Sequence, residues 1–142
     1  MTLVEKQQQL VEDFSYFEDP HERLAAVIDR AKKKPPLDAA ERVETNRVHG
    51  CISVVWLTGS IRDGGCHFRS DADSPLVRGL VALVADFFSG VPAAEIATSE
   101  IDPLSDLRLI ENLSPTRRNG LAAVRAAIRA FAEKQATARQ SD

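Results

Sequence analysis

Asp63-Gly64 is the most constraining dipeptide in this chain. It separates a β-branched and aromatic run, Val54-Val55-Trp56-Leu57, from a second short strand pattern, Cys66-His67-Phe68-Arg69. An Asp-Gly pair tolerates the positive φ that a two-residue hairpin turn needs at both central positions. The turn also sets a register, pairing Ile61 with Cys66, Gly59 with Phe68 and Leu57 with Ser70. Side chains alternate along a strand. One face therefore carries Val55, Leu57, Ile61, Cys66 and Phe68, and the other carries Trp56, Thr58, Ser60, His67 and Arg69. Such a sheet is antiparallel and half-buried, covered on one side. A third strand is expected just before it, around residues 46–49.

Helical patterns flank the hairpin. Residues 4–16 form a moderately amphipathic stretch with Leu10, Val11 and Phe14. Asp19-Pro20-His21-Glu22 reads as an N-cap, a first-turn proline and a capping-box glutamate. Leu24, Val27, Ile28 and Ala31 follow at helical spacing. Lys32-Lys33-Lys34 suits the negative end of that helix dipole, or forms a partner-binding patch, and Pro35-Pro36 stops the helix. Asp38 to Val43 adds a short helical turn. Ser74-Pro75 opens a helix with a wide apolar stripe from Leu76 to Phe88, and Gly90 and Pro92 end it and start a short one. A short helical piece spans Pro103 to Leu109. Ser114-Pro115 caps a last helix whose buried stripe is Leu121, Val124, Ile128 and Phe131, and residues 135–142 read as a frayed polar tail. Helices, a hairpin and more helices make an α+β fold, a small, about three-stranded antiparallel sheet packed against helices. At 142 residues this is a single domain, 1–142.

Composition narrows the function. Eighteen Lys and Arg against 21 Asp and Glu leave a net charge of −3, which argues against a general nucleic-acid binder. No apolar run approaches a membrane span, and the N-terminus lacks the basic-then-apolar pattern of a secretory signal. Two cysteines are too few for a disulfide scaffold or for a zinc cage unaided. The expectation is a cytoplasmic protein with reduced thiols, no bound metal and no cofactor of its own.

Cys51 is the sharpest candidate for chemistry. It follows His49-Gly50 and precedes Ile52-Ser53, and Gly50 and Ser53 mark a loop at the end of the sheet. A loop thiol can be offered to a partner, and His49 is near enough in sequence to assist its deprotonation. Cysteine is also among the most buried residue types, so a packing role stays open. Cys66 falls on the apolar face beside Phe68 and reads as packing. The register also sets it too far from Cys51 for a disulfide. Asp71 and Asp73 precede a helix start, where carboxylates are favoured as caps, although such a pair can also do acid–base work or bind Mg²⁺. Arg117 and Arg118 lie in the first turn of the last helix, where cations are disfavoured, so they read either as an anion or salt-bridge contact or as an ordinary exposed pair. His21 and His67 lack metal-ligand spacing, and the seven glycines form no phosphate loop.

Three segments together resemble the SufE family. Val48-His49-Gly50-Cys51-Ile52-Ser53-Val54-Val55-Trp56-Leu57 is similar to its Gly-Cys-x-Ser-x-Val-Trp segment. Asp71-Ala72-Asp73-Ser74-Pro75-Leu76-Val77-Arg78-Gly79-Leu80 resembles its Asp-Ser-Asp-Ala block running into Val-Lys/Arg-Gly-Leu. Leu113-Ser114-Pro115-Thr116-Arg117-Arg118-Asn119-Gly120-Leu121 resembles its Ser-Pro-Ser-Arg-x-Asn-Gly-Leu helix start. The resemblance covers about residues 8–133. The sequence departs from the family pattern around the second helix and at His49, where Gln is commoner.

The resemblance implies a SufE/IscU-like fold and a sulfur acceptor. Cys51 would take persulfide sulfur from a pyridoxal-phosphate cysteine desulfurase of the SufS or CsdA kind. It would pass the sulfur to a SufBCD-like scaffold for iron–sulfur cluster assembly. Ile52, Val54 and Leu113 would wall the thiol. Asp73, His49, Gly50, Ser53 and Arg117 would support it, with Arg117 favouring the charged thiol or holding the loop through Asp71 and Asp73. Arg118 is expected to tolerate substitution. The protein would stimulate the desulfurase without independent turnover. The competing classes are an IscU/NifU-like cluster scaffold, a thiol peroxidase or oxidoreductase, and an adaptor in which Cys51 only packs.

Overall fold

The computed structural model describes residues 2–50, 53–111 and 113–140, without the side chains of residues 139 and 140. Six α-helices and one hairpin follow in the order α1 (Leu3–Phe14), α2 (Pro20–Lys32), β1 (Val55–Arg62), β2 (Gly65–Ala72), α3 (Pro75–Phe88), α4 (Ala93–Thr98), α5 (Pro103–Asp106) and α6 (Pro115–Gln140). A single 3-10 turn, Glu44–Asn46, precedes β1.

The hairpin has the expected register, with Ile61 opposite Cys66, Gly59 opposite Phe68 and Leu57 opposite Ser70. Asp63 and Gly64 carry φ of 53° and 80°, the positive pair that the turn requires. The sheet has two strands, not three. Where the third was expected, only Arg47 bridges to Trp56, and the Val48 N–H donates to the Val55 carbonyl at 2.9 Å. The chain turns away at Gly50, whose φ of +93° no extended strand allows. Ile61 was expected on the covered face but is 41% exposed. It lies at the turn end, opposite Cys66 and next to the turn residues.

α3 is the centre of the core. Val81, Val84 and Phe88 on it are almost fully buried, and it packs against β2, α2, α5 and α6. Phe131 of α6 meets Phe68 of β2 edge to face at 5.4 Å. A Cβ at Gly59 would come within 2.8 Å of the Phe131 ring, so this strand position takes glycine to let α6 close on the sheet. Burying several such large apolar side chains, at about 1.5–3 kcal/mol each, is what holds the layers together.

Capping differs in detail from the sequence reading. Asp19 accepts from the His21 N–H at 2.9 Å, but no return bond from Glu22 forms. Ser74 is the N-cap of α3 without a side-chain bond. Thr2 and Glu5, not singled out from sequence, form a reciprocal capping box on α1. α6 continues through Gln140, past the residue at which a polar tail was expected. Its Ala, Arg, Lys and Gln content favours helix, and Gln135 and Ala136 stay partly buried.

The segment between α2 and the sheet is held by one buried carboxylate. Asp71 is 5% exposed; its Oδ2 accepts from the Leu37 N–H at 3.2 Å and its Oδ1 from the Ala72 N–H at 2.9 Å. The Arg78 Nε lies 3.3 Å from the same Oδ1. Asp71→Ala leaves the Leu37 N–H and a partly buried guanidinium without their acceptor. A loss of about 2–3 kcal/mol is expected, with a smaller loss for Asp71→Asn, which retains an acceptor. Urea unfolding of the two variants checks this; equal, near-zero losses would remove Asp71 from its structural role.

Candidate functional site: the 49–54 loop and the start of the last helix

Cys51, the sharpest sequence candidate, and its neighbour Ile52 lie outside the described residues. The frame around them is described. The Val48–Val55 backbone bond closes the loop at its base, leaving residues 49–54 between. The Asp73 N–H donates to the Val54 carbonyl at 3.1 Å, which ties the base to the β2–α3 connection. Gly50 faces α6: a Cβ built there would sit 3.4 Å from the Ala123 Cβ. A left-handed glycine and a small residue on the helix together let the chain at Gly50 lie against α6. Ser53 and Val54 are half-buried, and Val48 and Val55 beneath them are buried.

His49 points outward. Its Nε2 is 3.4 Å from the Glu44 Oε1, and both side chains are exposed. Glu44 was not singled out from sequence. The 3-10 turn places it beside His49, and no sequence pattern announces that turn.

The acidic pair is not a helix cap. Asp71 belongs to β2 and is occupied by Leu37, Ala72 and Arg78. Asp73 is exposed and contributes its backbone N–H to the loop base. Arg78, one turn into α3, is the partner that sequence reading missed. The only hint was a cation soon after a carboxylate block.

The two arginines at the start of α6 are held differently. The Arg117 side chain is exposed and makes no hydrogen bond or ion pair among the described residues; only its N–H is used, donating to the Ser114 Oγ at 3.3 Å. It does not reach Asp71 or Asp73. Arg118, expected to be tolerant, donates through Nη2 to the Glu111 carbonyl at 2.6 Å and through Nε to the Leu113 carbonyl at 3.2 Å. It holds the loop that carries Leu113, a half-buried residue expected to wall the site. Arg117 precedes Ala123 by six residues, about 9 Å along the helix axis. Its guanidinium is thus a cation on the same helix that Gly50 lies against.

Cys66 is fully buried, with its N–H donating to the Val91 carbonyl at 2.8 Å and its carbonyl accepting from the Gly90 N–H at 2.6 Å. It pairs with Ile61, six residues along β1 from the loop base at Val55, roughly 20 Å at strand rise. Among the described residues no three His, Cys, Asp or Glu are grouped so that they could hold a metal ion. No helix among them is long and apolar enough to cross a membrane.

A family model described as SufE, an Fe-S metabolism associated domain, matches residues 8–132. The chain belongs to the SufE family. Membership assigns it to Fe–S metabolism. An uncharacterized SufE-like protein of Rhizobium etli is 38% identical over 135 residues, covering 92% of this chain and 91% of that protein. A SufE-like protein of Arabidopsis thaliana named as chloroplastic/mitochondrial is 33% identical over 117 residues, covering 82% of this chain but 32% of that longer protein. The α+β fold recurs in the solution structure of a hypothetical protein from Thermus thermophilus, with a TM-score of 0.75 at 22% identity over 93% of this SufE chain and 96% of that one.

The Arg118 contacts make a prediction specific to this SufE chain. Arg118→Ala removes two charge-assisted bonds to exposed carbonyls, and amide hydrogen exchange over residues 111–114 should speed up several-fold while global stability falls by less than about 1–2 kcal/mol. Arg117→Ala should leave that exchange unchanged. Equal exchange in the two variants would refute the strut role of Arg118.

Proposed function

We propose that this chain is a sulfur acceptor. It takes persulfide sulfur from a pyridoxal-phosphate cysteine desulfurase onto Cys51 and passes it on for cluster assembly. The observation that carries this reading is the setting of the Gly50-Cys51-Ile52-Ser53 segment. Its flanks are pinned at the end of the hairpin, by Val48 to Val55 and by Asp73 to Val54, and Gly50 lies against α6. Cys66, by contrast, is interior.

The chemistry is thiol–disulfide exchange with one extra sulfur. The Cys51 thiolate attacks the terminal sulfur of the desulfurase persulfide. A new S–S bond forms at Cys51 as the old one breaks, and the desulfurase cysteine leaves as its thiolate. No electrons are gained or lost overall, so no oxidant is required. Pyridoxal phosphate belongs to the partner and does the carbon–sulfur chemistry there. This chain supplies a nucleophile and a cationic neighbourhood: Arg117, whose guanidinium is uncommitted among the described residues, stands on the helix that Gly50 lies against. A positive charge near a thiol favours its reactive anion. Unloading the desulfurase relieves product build-up, so the acceptor acts as an activator without turnover of its own. A persulfide is readily reduced or oxidised, so the reading includes a cytoplasmic setting with a protein relay to a SufBCD-like scaffold.

Incubation with a cysteine desulfurase and free cysteine, followed by intact-mass analysis and peptide mapping, tests the reading. Wild type should gain sulfur on Cys51 and none on Cys66, Cys51→Ser should gain none, and desulfurase turnover should rise only with proteins that retain Cys51. Cys66→Ala should still load, though it should lose about 1–2 kcal/mol of stability to the cavity. Sulfur on the Cys51→Ser protein would overturn the assignment. A stable cluster, one per chain, after anaerobic reconstitution would favour the scaffold class instead.

A further inference from the structure

The free edge of β2 contains a gap. Residues 66, 68, 70 and 72 turn their backbone groups away from β1. Cys66 uses its pair on Val91 and Gly90. The Phe68 N–H donates to the Ser89 Oγ at 2.9 Å, and the Ala72 N–H goes to Asp71. Ser70 alone in this row has neither its N–H nor its carbonyl engaged by any described residue.

That gap opens on a cavity of about 280 Å³ between β2, the end of α2 and α3, which Ser70 itself lines. A second cavity of about 200 Å³ adjoins it, sharing Ala31 and Arg78 and extending to Asp73 and Pro75. Ala31, Ala82 and Ala85 are small, which leaves room for an incoming side chain. Four cations, Lys32, Lys34, Arg69 and Arg78, line the two cavities against two carboxylates, Asp73 and Asp86. Arg78 is committed to buried Asp71, Arg69 to Glu41, and Lys34 to Asp86. Lys32 has only a loose, exposed pair with Asp29 at 3.7 Å, and Lys33 beside it is exposed.

We propose that this groove docks an extended acidic segment of a partner protein. One residue of the segment would complete the β2 edge by bonding the Ser70 N–H and carbonyl, and its carboxylates would meet the Lys32–Lys34 end of α2. An unpaired strand edge supplies main-chain bonds to an extended peptide, and neighbouring pockets select its side chains. Solvent-exposed ion pairs such as Lys34–Asp86 exchange partners at little cost. The lysine run that also suits the end of the α2 dipole thereby gains a recognition role. The groove ends at Asp73, whose N–H holds the Val54 carbonyl at the base of the 49–54 loop, so a docked segment brings its owner beside that loop. The inference stands whether or not Cys51 accepts sulfur.

The test is a titration of the isotope-labelled full chain with a short capped peptide of alternating Glu and Val, followed by amide NMR. Shifts should centre on Ser70, Arg69, Ala31 and Lys34, and exchange of the Ser70 amide should slow. The same Glu-Val peptide N-methylated at every backbone nitrogen keeps the charge but has no N–H to donate to the Ser70 carbonyl, so it should bind about fivefold more weakly. Lys32→Glu with Lys34→Glu should weaken the Glu-Val peptide at least about fivefold, and added salt should do the same to wild type. Ser70→Pro removes the groove-facing N–H without touching a β1–β2 bond and should level the two peptides. If that variant does not fold, the lysine variant and the N-methylated control decide. Equal binding of the two peptides to wild type, shifts centred elsewhere, or no shifts at all would overturn the proposal.

Discussion

Asp71 is the one buried charged residue among those described, and the arrangement around the 49–54 loop depends on it. Its carboxylate gathers the Leu37 N–H from the α2–β1 segment, the Ala72 N–H at the end of β2 and the Arg78 guanidinium from α3. Desolvating such a pair costs several kcal/mol, and its attraction does little more than recover that cost. Its value is therefore directional. An apolar side chain at position 71 would not hold the Leu37 backbone in one place. With Leu37 fixed, and Glu41 bound to Arg69 at 2.5 Å, the long segment entering the 49–54 loop has a defined path.

The frame of the 49–54 loop is built without drawing on the core. Two backbone bonds close its base, and a glycine with positive φ sets it against an alanine on α6. Neither contact needs a large side chain, and His49 and Gly50 beside them stay exposed. The second loop, before α6, is held in another way, by Arg118 reaching back to two carbonyls of the preceding turn. That leaves Arg117, one residue away, as an uncommitted cation among the described residues. A guanidinium already saturated by carbonyls has fewer donors to offer any other group than one held in water.

The two cysteines show why position outweighs residue type. Cys66 sits in a strand between Val91 on one side and Ile61 on the other, fully buried and bonded through its backbone. A partner enzyme cannot reach it without unfolding the hairpin. Cys51 belongs to a segment of whose described residues His49 and Gly50 are exposed and Ser53 is half-buried.

The sequence alone determined the features governed by near neighbours. Asp63-Gly64 dictated the turn dihedrals, and alternation then dictated which residues oppose each other across the hairpin. Prolines, caps and apolar spacing located the helices to within a few residues, and the three linked segments carried the family. What failed was decided by residues far apart in the chain. A third strand needs a neighbouring segment to stay in plane, and the bend at Gly50 prevents it. Asp71 reads as a cap until the α2–β1 segment folds over it. Arg118 reads as spare until the turn before α6 presents its carbonyls. Glu44 beside His49, and Ala123 beside Gly50, follow from the path of loops whose sequences carry no period. Side-chain alternation and turn preference act within a handful of residues and are written locally. Hydrogen-bond partners supplied by another segment exist only once packing has brought the two together, and so only the tertiary structure decides them.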